Sequence, residues 1–196
     1  MANLKSKKGM LIDVQPIKTM EERWEFIEAL GMSAHGLRNQ LLFKVGISTG
    51  LRCGDLVALE VETVRGKTKF DIREGKTKKK RTVHLNTLMA DIAEYIEILP
   101  ENCKCLFPSQ KEEYGMHHIS TTQAYRILTA AGDLVGNHSI GTHTMRKTFG
   151  HIYYNETKDI ATLMEIFNHS SQRTTLRYIG YSEEQVGKSI SSIRFY

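Results

Sequence analysis

Four short stretches of the chain concentrate side chains suited to handling a phosphate. In Ser48-Thr49-Gly50-Leu51-Arg52, Gly50 permits a tight turn and Arg52 then opens a helix, where backbone amides also favour an anion. A purely structural alternative for Arg52 is a surface salt bridge to Asp55, three residues on. The run Lys76-Thr77-Lys78-Lys79-Lys80-Arg81 has two readings. It is either a solvated hairpin tip whose charges deter edge-to-edge pairing, or a mobile hairpin that carries a lysine into a DNA groove. In His143-Thr144-Met145-Arg146-Lys147-Thr148-Phe149, His143 and Arg146 stand three apart on an expected helix and so share a face. Arginine's planar fork matches two phosphate oxygens, while histidine donates a hydrogen bond or shuttles a proton. Finally, Asn168-His169-Ser170-Ser171 is followed by Tyr178, nine residues after His169, and a loop would bring the imidazole and the phenol to one site. A tyrosine at helical spacing is commonly core or interface; Tyr153, Tyr154 and Tyr181 show how little the residue type says alone.

The elements that must carry these groups are mostly helical. A capping box, Thr19 with Glu22 three residues later, opens a helix whose Trp24, Ile27 and Leu30 fall on one face. A second helix is expected from about Ser33, with Leu37, Leu41, Leu42 and Val45 inward. Val61, Val64, Phe70, Ile72, Val83 and Leu85 lie in short segments separated by Gly66 and Gly75, which suits a small antiparallel sheet. Helical spacing resumes from Leu88 to Leu99, and further helices are expected at about 121–131, 144–155, 159–167, 171–179 and 182–193. The fold class is therefore α+β, mainly α, with one small antiparallel sheet near the middle.

Composition narrows the classes. At 196 residues, the chain fits one large domain of the usual ~150-residue scale, and 40% apolar residues suffice for a core. No apolar run approaches the ~20 residues of a membrane span, and the start, with Lys5, Lys7 and Lys8, reads as a basic tail rather than a signal peptide. Three cysteines make no disulfide framework and suit a reducing compartment. A net charge of +5 hints at nucleic acid without establishing it. Cys103, Cys105, His117 and His118 lack a second ligand pair for zinc and read as solvent or loop residues.

Taken in order, Arg52, the hairpin lysines, His143 with Arg146, His169 and Tyr178 closely resemble the tyrosine recombinase (phage integrase) family. Thr49-Gly50-Leu51-Arg52-Cys53-Gly54-Asp55-Leu56 resembles the family's Thr-Gly-Leu-Arg motif with its acid three residues after the arginine. His143 to Phe149 resembles its His-x-x-Arg box, and Asn168 to Ser171 with Thr174, Thr175 and Tyr178 resembles its nucleophile segment. Leu106-Phe107-Pro108-Ser109 also fits the stretch between the family's sheet and its later helices. The resemblance spans residues 19–181 as a catalytic domain of the DNA breaking-rejoining type, flanked by the tail 1–18 and a C-terminal segment 182–196. It implies Tyr178 as nucleophile, Arg52 and Arg146 as the phosphate clamp, Lys76 as general acid, and His143 and His169 in phosphate binding and proton handling. Asp55 would orient the site. Lys78, Lys79, Lys80, Arg81 and Lys147 would contact DNA. No cofactor and no metal is implied.

The resemblance implies a site-specific recombinase or integrase that works through a 3′-phosphotyrosyl intermediate. Alternatives are a non-catalytic DNA-binding regulator or architectural protein that keeps the fold, or a topoisomerase-like relaxing enzyme. Expected partners are a double-stranded recombination site, further copies of the chain on DNA (dimer to tetramer), and an accessory DNA-bending or clamp-completing protein. The expected location is cytoplasmic, at the nucleoid. Two departures stand out. Asn168 replaces the family's usual glycine before the final histidine, and only residues 1–18 precede the catalytic region, where members usually carry a DNA-binding domain. The chain is then either a small standalone member or a fragment. Ser182 and Gln185 would cap a last helix with Val186, Ile190 and Ile193 as an apolar stripe, packed on its own domain or docked on a neighbouring protomer.

Overall fold

The computed structural model describes residues 13–110 and 114–181, together with Ser191 and Arg194. Lys5, Lys7, Lys8 and the expected last helix, apart from Ser191, lie outside the described residues. The architecture is mainly helical with one two-stranded antiparallel sheet. Helices α1 (Met20–Gly31), α2 (Gly36–Thr49), α3 (Cys53–Val57) and α4 (Val61–Val64) lead into strands β1 (Lys69–Arg73) and β2 (Lys80–His84). A 3-10 turn at Asn86–Leu88 precedes α5 (Met89–Glu97). Then come α6 (Thr121–Leu134), α7 (Thr144–Thr157), α8 (Ile160–Phe167) and α9 (Gln172–Tyr178). Among the described residues, no helix is long and apolar enough to cross a membrane.

The capping box at Thr19 forms as expected: its hydroxyl accepts from the Glu22 amide at 3.1 Å and the Glu22 carboxylate accepts from the Thr19 amide at 3.0 Å. The inward face of α1 differs from the expected one. Trp24 is 56% exposed, whereas Phe26, Ile27, Ala29 and Leu30 are buried. Phe26 meets Phe43 of α2 with ring centroids 4.8 Å apart, and burying each such ring contributes about 1.5–3 kcal/mol. Leu37, expected inward, is 59% exposed, because α2 begins at Gly36 and its buried side is built by Leu41, Leu42, Phe43 and Val45. Val61 and Val64 do not join the sheet. They form one buried helical turn, held by the Val61 amide donating to the Lys104 carbonyl at 2.9 Å. Cys103 and Cys105 are buried rather than solvent-facing.

In the sheet, Phe70 pairs with Val83 and Ile72 with Arg81. The period-2 alternation turns Phe70, Ile72, Val83 and Leu85 toward the core, and the same parity carries Glu74 and Arg81 inward. A second, smaller apolar cluster joins the last helices: Leu163, Phe167 and Ile179 are buried, with Phe149, Tyr153, Tyr154, Tyr178 and Tyr181 packed against them. This cluster places α9, and so Tyr178, beside the end of α2.

Candidate active site

The site is organised around the C-terminal end of α2. Gly50 ends that helix with φ 61° and ψ 23°, the left-handed cap that glycine adopts freely. A Cβ at Gly50 would stand 2.4 Å from the Phe149 ring, so the close approach of α2 and α7 also requires glycine. The carbonyls of Thr49 and Gly50 point outward beyond the helix. Arg81 donates to the first and Arg146 to the second. Carbonyls at a helix C-terminus attract cations, and two guanidiniums are thereby drawn to one spot.

Arg146 is 4% exposed and also donates to the Phe167 carbonyl at 3.2 Å, while its guanidinium carbon lies 4.4 Å from the Phe167 ring centroid. Burial, followed by the nearby Arg52 charge, lowers its pKa to about 10, which leaves it cationic at neutral pH. Arg52 caps α3 at its N-terminus, as expected, but its carboxylate partner is Glu74 and not Asp55. Asp55 instead accepts from the Gly75 amide at 2.9 Å, a contact that holds the start of the hairpin. Lys76 is exposed and, with Arg52, Gly54, Tyr125 and His143, lines a cleft of about 490 Å³. Lysine and arginine thus face the same space.

Tyr178 ends α9, half-buried, and its hydroxyl lies 3.0 Å from His143 Nδ1. Burial raises the phenol's pKa and the Arg146 and Arg52 charges partly oppose this, so the resting tyrosine is protonated. His143 caps α7, and its pKa is lowered by burial and then by Arg146, Lys147, Lys76 and Arg52. A neutral imidazole is therefore poised against a protonated phenol. His169 sits in the α8–α9 loop, its ring 5.3 Å from that of Tyr178. Its Nδ1 is 3.1 Å from the Thr175 hydroxyl, which gives its only proton to the Ser171 carbonyl at 3.0 Å. The hydroxyl oxygen can then only accept, which assigns the His169 proton to Nδ1 and makes Nε2 the acceptor nitrogen.

Asn168 has φ 53° and ψ 50° and caps α8 in the left-handed conformation. Asparagine tolerates this region better than other residues with a Cβ, which accounts for its standing where glycine is usual. Its side-chain oxygen accepts from Lys79, so the hairpin reaches the loop that holds His169. Lys78 and Lys80 are exposed, and Lys80 pairs with Asp71 at 2.9 Å. Arg81, grouped in the sequence with these lysines, turns the other way, toward Glu74 and α2. Lys147 donates to the Val14 carbonyl at 2.5 Å, with its ammonium 5.3 Å from the Tyr178 ring centroid.

Sequence reasoning missed Glu74, which is 3% exposed and accepts from Arg52 and, at 2.7 Å, from the Thr77 hydroxyl. The signal was present: strand alternation from Phe70 and Ile72 puts an acid on the inward face. Burial would raise the Glu74 carboxyl, but the Thr77 and Arg52 hydrogen bonds outweigh it and hold the group below the ordinary carboxylate range. His151 was also missed; it is buried, donates from Nδ1 to the Ile179 carbonyl at 3.2 Å and accepts from Asn155 at 2.9 Å.

The pKa of each of His143, His151 and His169 is lowered, with burial the largest cause in all three. Above an unfolded-state pKa of about 6.5 they are neutral in both states and their share of stability is fully present. As pH falls below that value the unfolded chain binds protons that the native imidazoles resist, so stability is lost until the native pKa values are passed. Urea unfolding is expected to show a lower midpoint at pH 5 than at pH 7.5, and replacing His151 with Gln should reduce that difference.

The profile of the phage integrase family matches residues 18–185, and the chain belongs to that family. It is 43% identical over 172 residues to a probable integrase/recombinase, YoeC, of Bacillus subtilis (strain 168), covering 87% of this chain and 92% of that protein. It is 26% identical over 180 residues to the tyrosine recombinase XerH of Helicobacter pylori, covering 88% of this chain but 49% of the relative. In fold it is similar to the XerH site-specific recombinase bound to palindromic difH substrate, with a TM-score of 0.70 and 23% identity over 97% of this chain and 55% of that one. It is also similar to the XerA recombinase, with a TM-score of 0.71 and 20% identity over 92% of this chain and 66% of that one.

Proposed function

We propose that the chain is a site-specific DNA recombinase that cuts and rejoins one strand at a time through a 3′-phosphotyrosyl bond. The observation that carries this reading is the Tyr178 hydroxyl 3.0 Å from a neutral His143, beside the Arg52 and Arg146 guanidiniums. The relatives named as integrase/recombinase and tyrosine recombinase support it. His143 accepts the phenolic proton as the Tyr178 oxygen attacks phosphorus. Arg52 and Arg146 stabilise charge on the nonbridging oxygens of the transition state, and His169, with Nε2 unprotonated, serves in proton handling; removal of one such preorganised donor costs ~2.7–4 kcal/mol in comparable sites. The bond to the 5′-oxygen breaks, and the Lys76 ammonium gives that oxygen its proton. Attack by the 5′-hydroxyl of another strand reverses the sequence and releases the tyrosine, so the phosphodiester energy is conserved.

In this reading residues 19–181 are the catalytic domain. The exposed Lys78, Lys79 and Lys80 track the DNA backbone, and two to four copies assemble on the site, with 182–196 as a docking segment. The DNA it acts on is that of the nucleoid, which places it in the cytoplasm. Incubation with nicked duplex DNA followed by denaturing electrophoresis tests the proposal: a protein–DNA adduct is expected, and its absence on every duplex tried, despite DNA binding, contradicts it. The charge on the phosphate is met by Arg52, Arg146 and Lys76, so excess chelator should leave the adduct yield unchanged. A strict requirement for added magnesium in the cleavage step would overturn this mechanism.

A further inference from the structure

We propose that Glu74 is a positioning residue that seats the Lys76 hairpin on Arg52, so that phosphate binding and general-acid placement are coupled. This rests on the recombinase reading with Lys76 as the acid. Three guanidiniums, of Arg52, Arg81 and Arg146, gather at the end of α2, and mutual repulsion opposes that arrangement. Glu74 supplies the carboxylate between them: Oε2 takes a hydrogen bond from Arg52, and Oε1 faces Arg81 Nη1 at 4.0 Å. The same side chain reaches into the hairpin, where the Thr77 hydroxyl donates to it at 2.7 Å, one residue beyond Lys76. The Glu74 backbone closes the turn as well. Its amide donates to the Lys79 carbonyl at 3.0 Å, and its carbonyl accepts from the Lys78 amide at 2.9 Å.

Lys76 itself is exposed, and among the described residues no side-chain hydrogen bond or ion pair of its own fixes it over the cleft. Its position therefore depends on the turn's anchors, Asp55 to the Gly75 amide on one side and Glu74 to Arg52 and Thr77 on the other. Asp55 is half-buried, whereas Glu74 is 3% exposed and screened little by solvent. Losing the buried carboxylate should free the hairpin and leave Arg52 without its counter-charge.

Two measurements test this. In the first, cleavage of ordinary nicked DNA is compared with cleavage of DNA carrying sulfur in place of the bridging 5′-oxygen, a leaving group that needs no acid. Glu74→Ala is expected to slow ordinary cleavage about 100-fold, to regain most of the rate on the sulfur substrate, and to add little to Lys76→Ala in the double variant. A purely structural loss would reduce both substrates equally. Glu74→Gln, which keeps the shape of the side chain, should show the same pattern to a smaller degree and serves where the alanine variant does not fold. In the second, amide exchange in the DNA-free protein should be faster at Gly75 and Lys78 in either variant. Wild-type cleavage rates, equal losses on both substrates, or unchanged exchange at both amides would each overturn the coupling. If the wild-type protein forms no adduct, the recombinase reading fails, and the exchange measurement still judges the anchor.

Discussion

Replacing Tyr178 with phenylalanine is expected to abolish the covalent protein–DNA adduct while leaving DNA binding intact. On the proposed mechanism the loss is total, because the phenolic oxygen would be the atom that bonds to phosphorus. The fold should tolerate the change. The Tyr178 ring keeps its edge contacts with Phe167 and His169, at centroid distances of 5.4 and 5.3 Å, and the hydrogen bonds of its hydroxyl with His143 and Arg146 are lost. Such bonds contribute about 0.5–1.5 kcal/mol for a neutral partner and about 1.5–3 kcal/mol for a charged one. Tyr181 is the internal control. Its ring packs edge-on against Tyr154 at 5.0 Å, on the apolar cluster of the last helices, so Tyr181→Phe should cleave normally. Gel analysis of denatured complexes and a separate binding assay measure the two properties independently. An adduct that survived in Tyr178→Phe and vanished in Tyr181→Phe would reverse the assignment.

The next largest effect is expected at Lys76. An alkoxide is a poor leaving group near neutral pH, and a general acid typically contributes about 10²–10⁴-fold to such a step. Lys76→Ala should slow cleavage of ordinary DNA within that range and change affinity little, because Lys78, Lys79 and Lys80 remain on the exposed side of the hairpin. Substrate with a bridging sulfur should largely restore the rate. Lys79→Ala is the matched comparison: Lys79 reaches Asn168 and not the cleft lined by Arg52 and His143, so its removal should cost far less. Equal effects from the two lysines, or no rescue by sulfur, would move the acid elsewhere.

Much of the fold was legible because its signals are local. The capping box at Thr19, the serine caps of α6 and α9 and the aspartate cap of α8 lie where side-chain chemistry demands them. The order of Arg52, Lys76, His143, Arg146, His169 and Tyr178 was legible as a resemblance, and the structure draws these residues toward one region. What local pattern did not reveal was decided by tertiary contact. Trp24 and Phe26 both suit an apolar helix face; Phe26 is the buried one because Phe43 of α2 lies opposite it. Valines at 61 and 64 favour a strand by propensity, yet pairing of Glu60 with Cys105 leaves the following turn helical. Glu74 and Arg81 were hidden by their basic surroundings, since charge in a hairpin is ordinarily a mark of solvent. Strand parity, applied through the turn, was the stronger guide. Asn168 looked like a departure from the family, and its left-handed backbone shows how the position accepts asparagine as well as glycine.

The central claim is that Tyr178 becomes bonded to a DNA 3′-phosphate. The most direct measurement traps the wild-type protein on nicked duplex DNA, digests the denatured adduct with nuclease and protease, and locates the nucleotide-bearing residue by mass spectrometry. The expected result is a 3′-phosphonucleotide on Tyr178 alone. A modified Tyr181, a modified serine or histidine, or a tyrosine joined to a 5′-phosphate would contradict it.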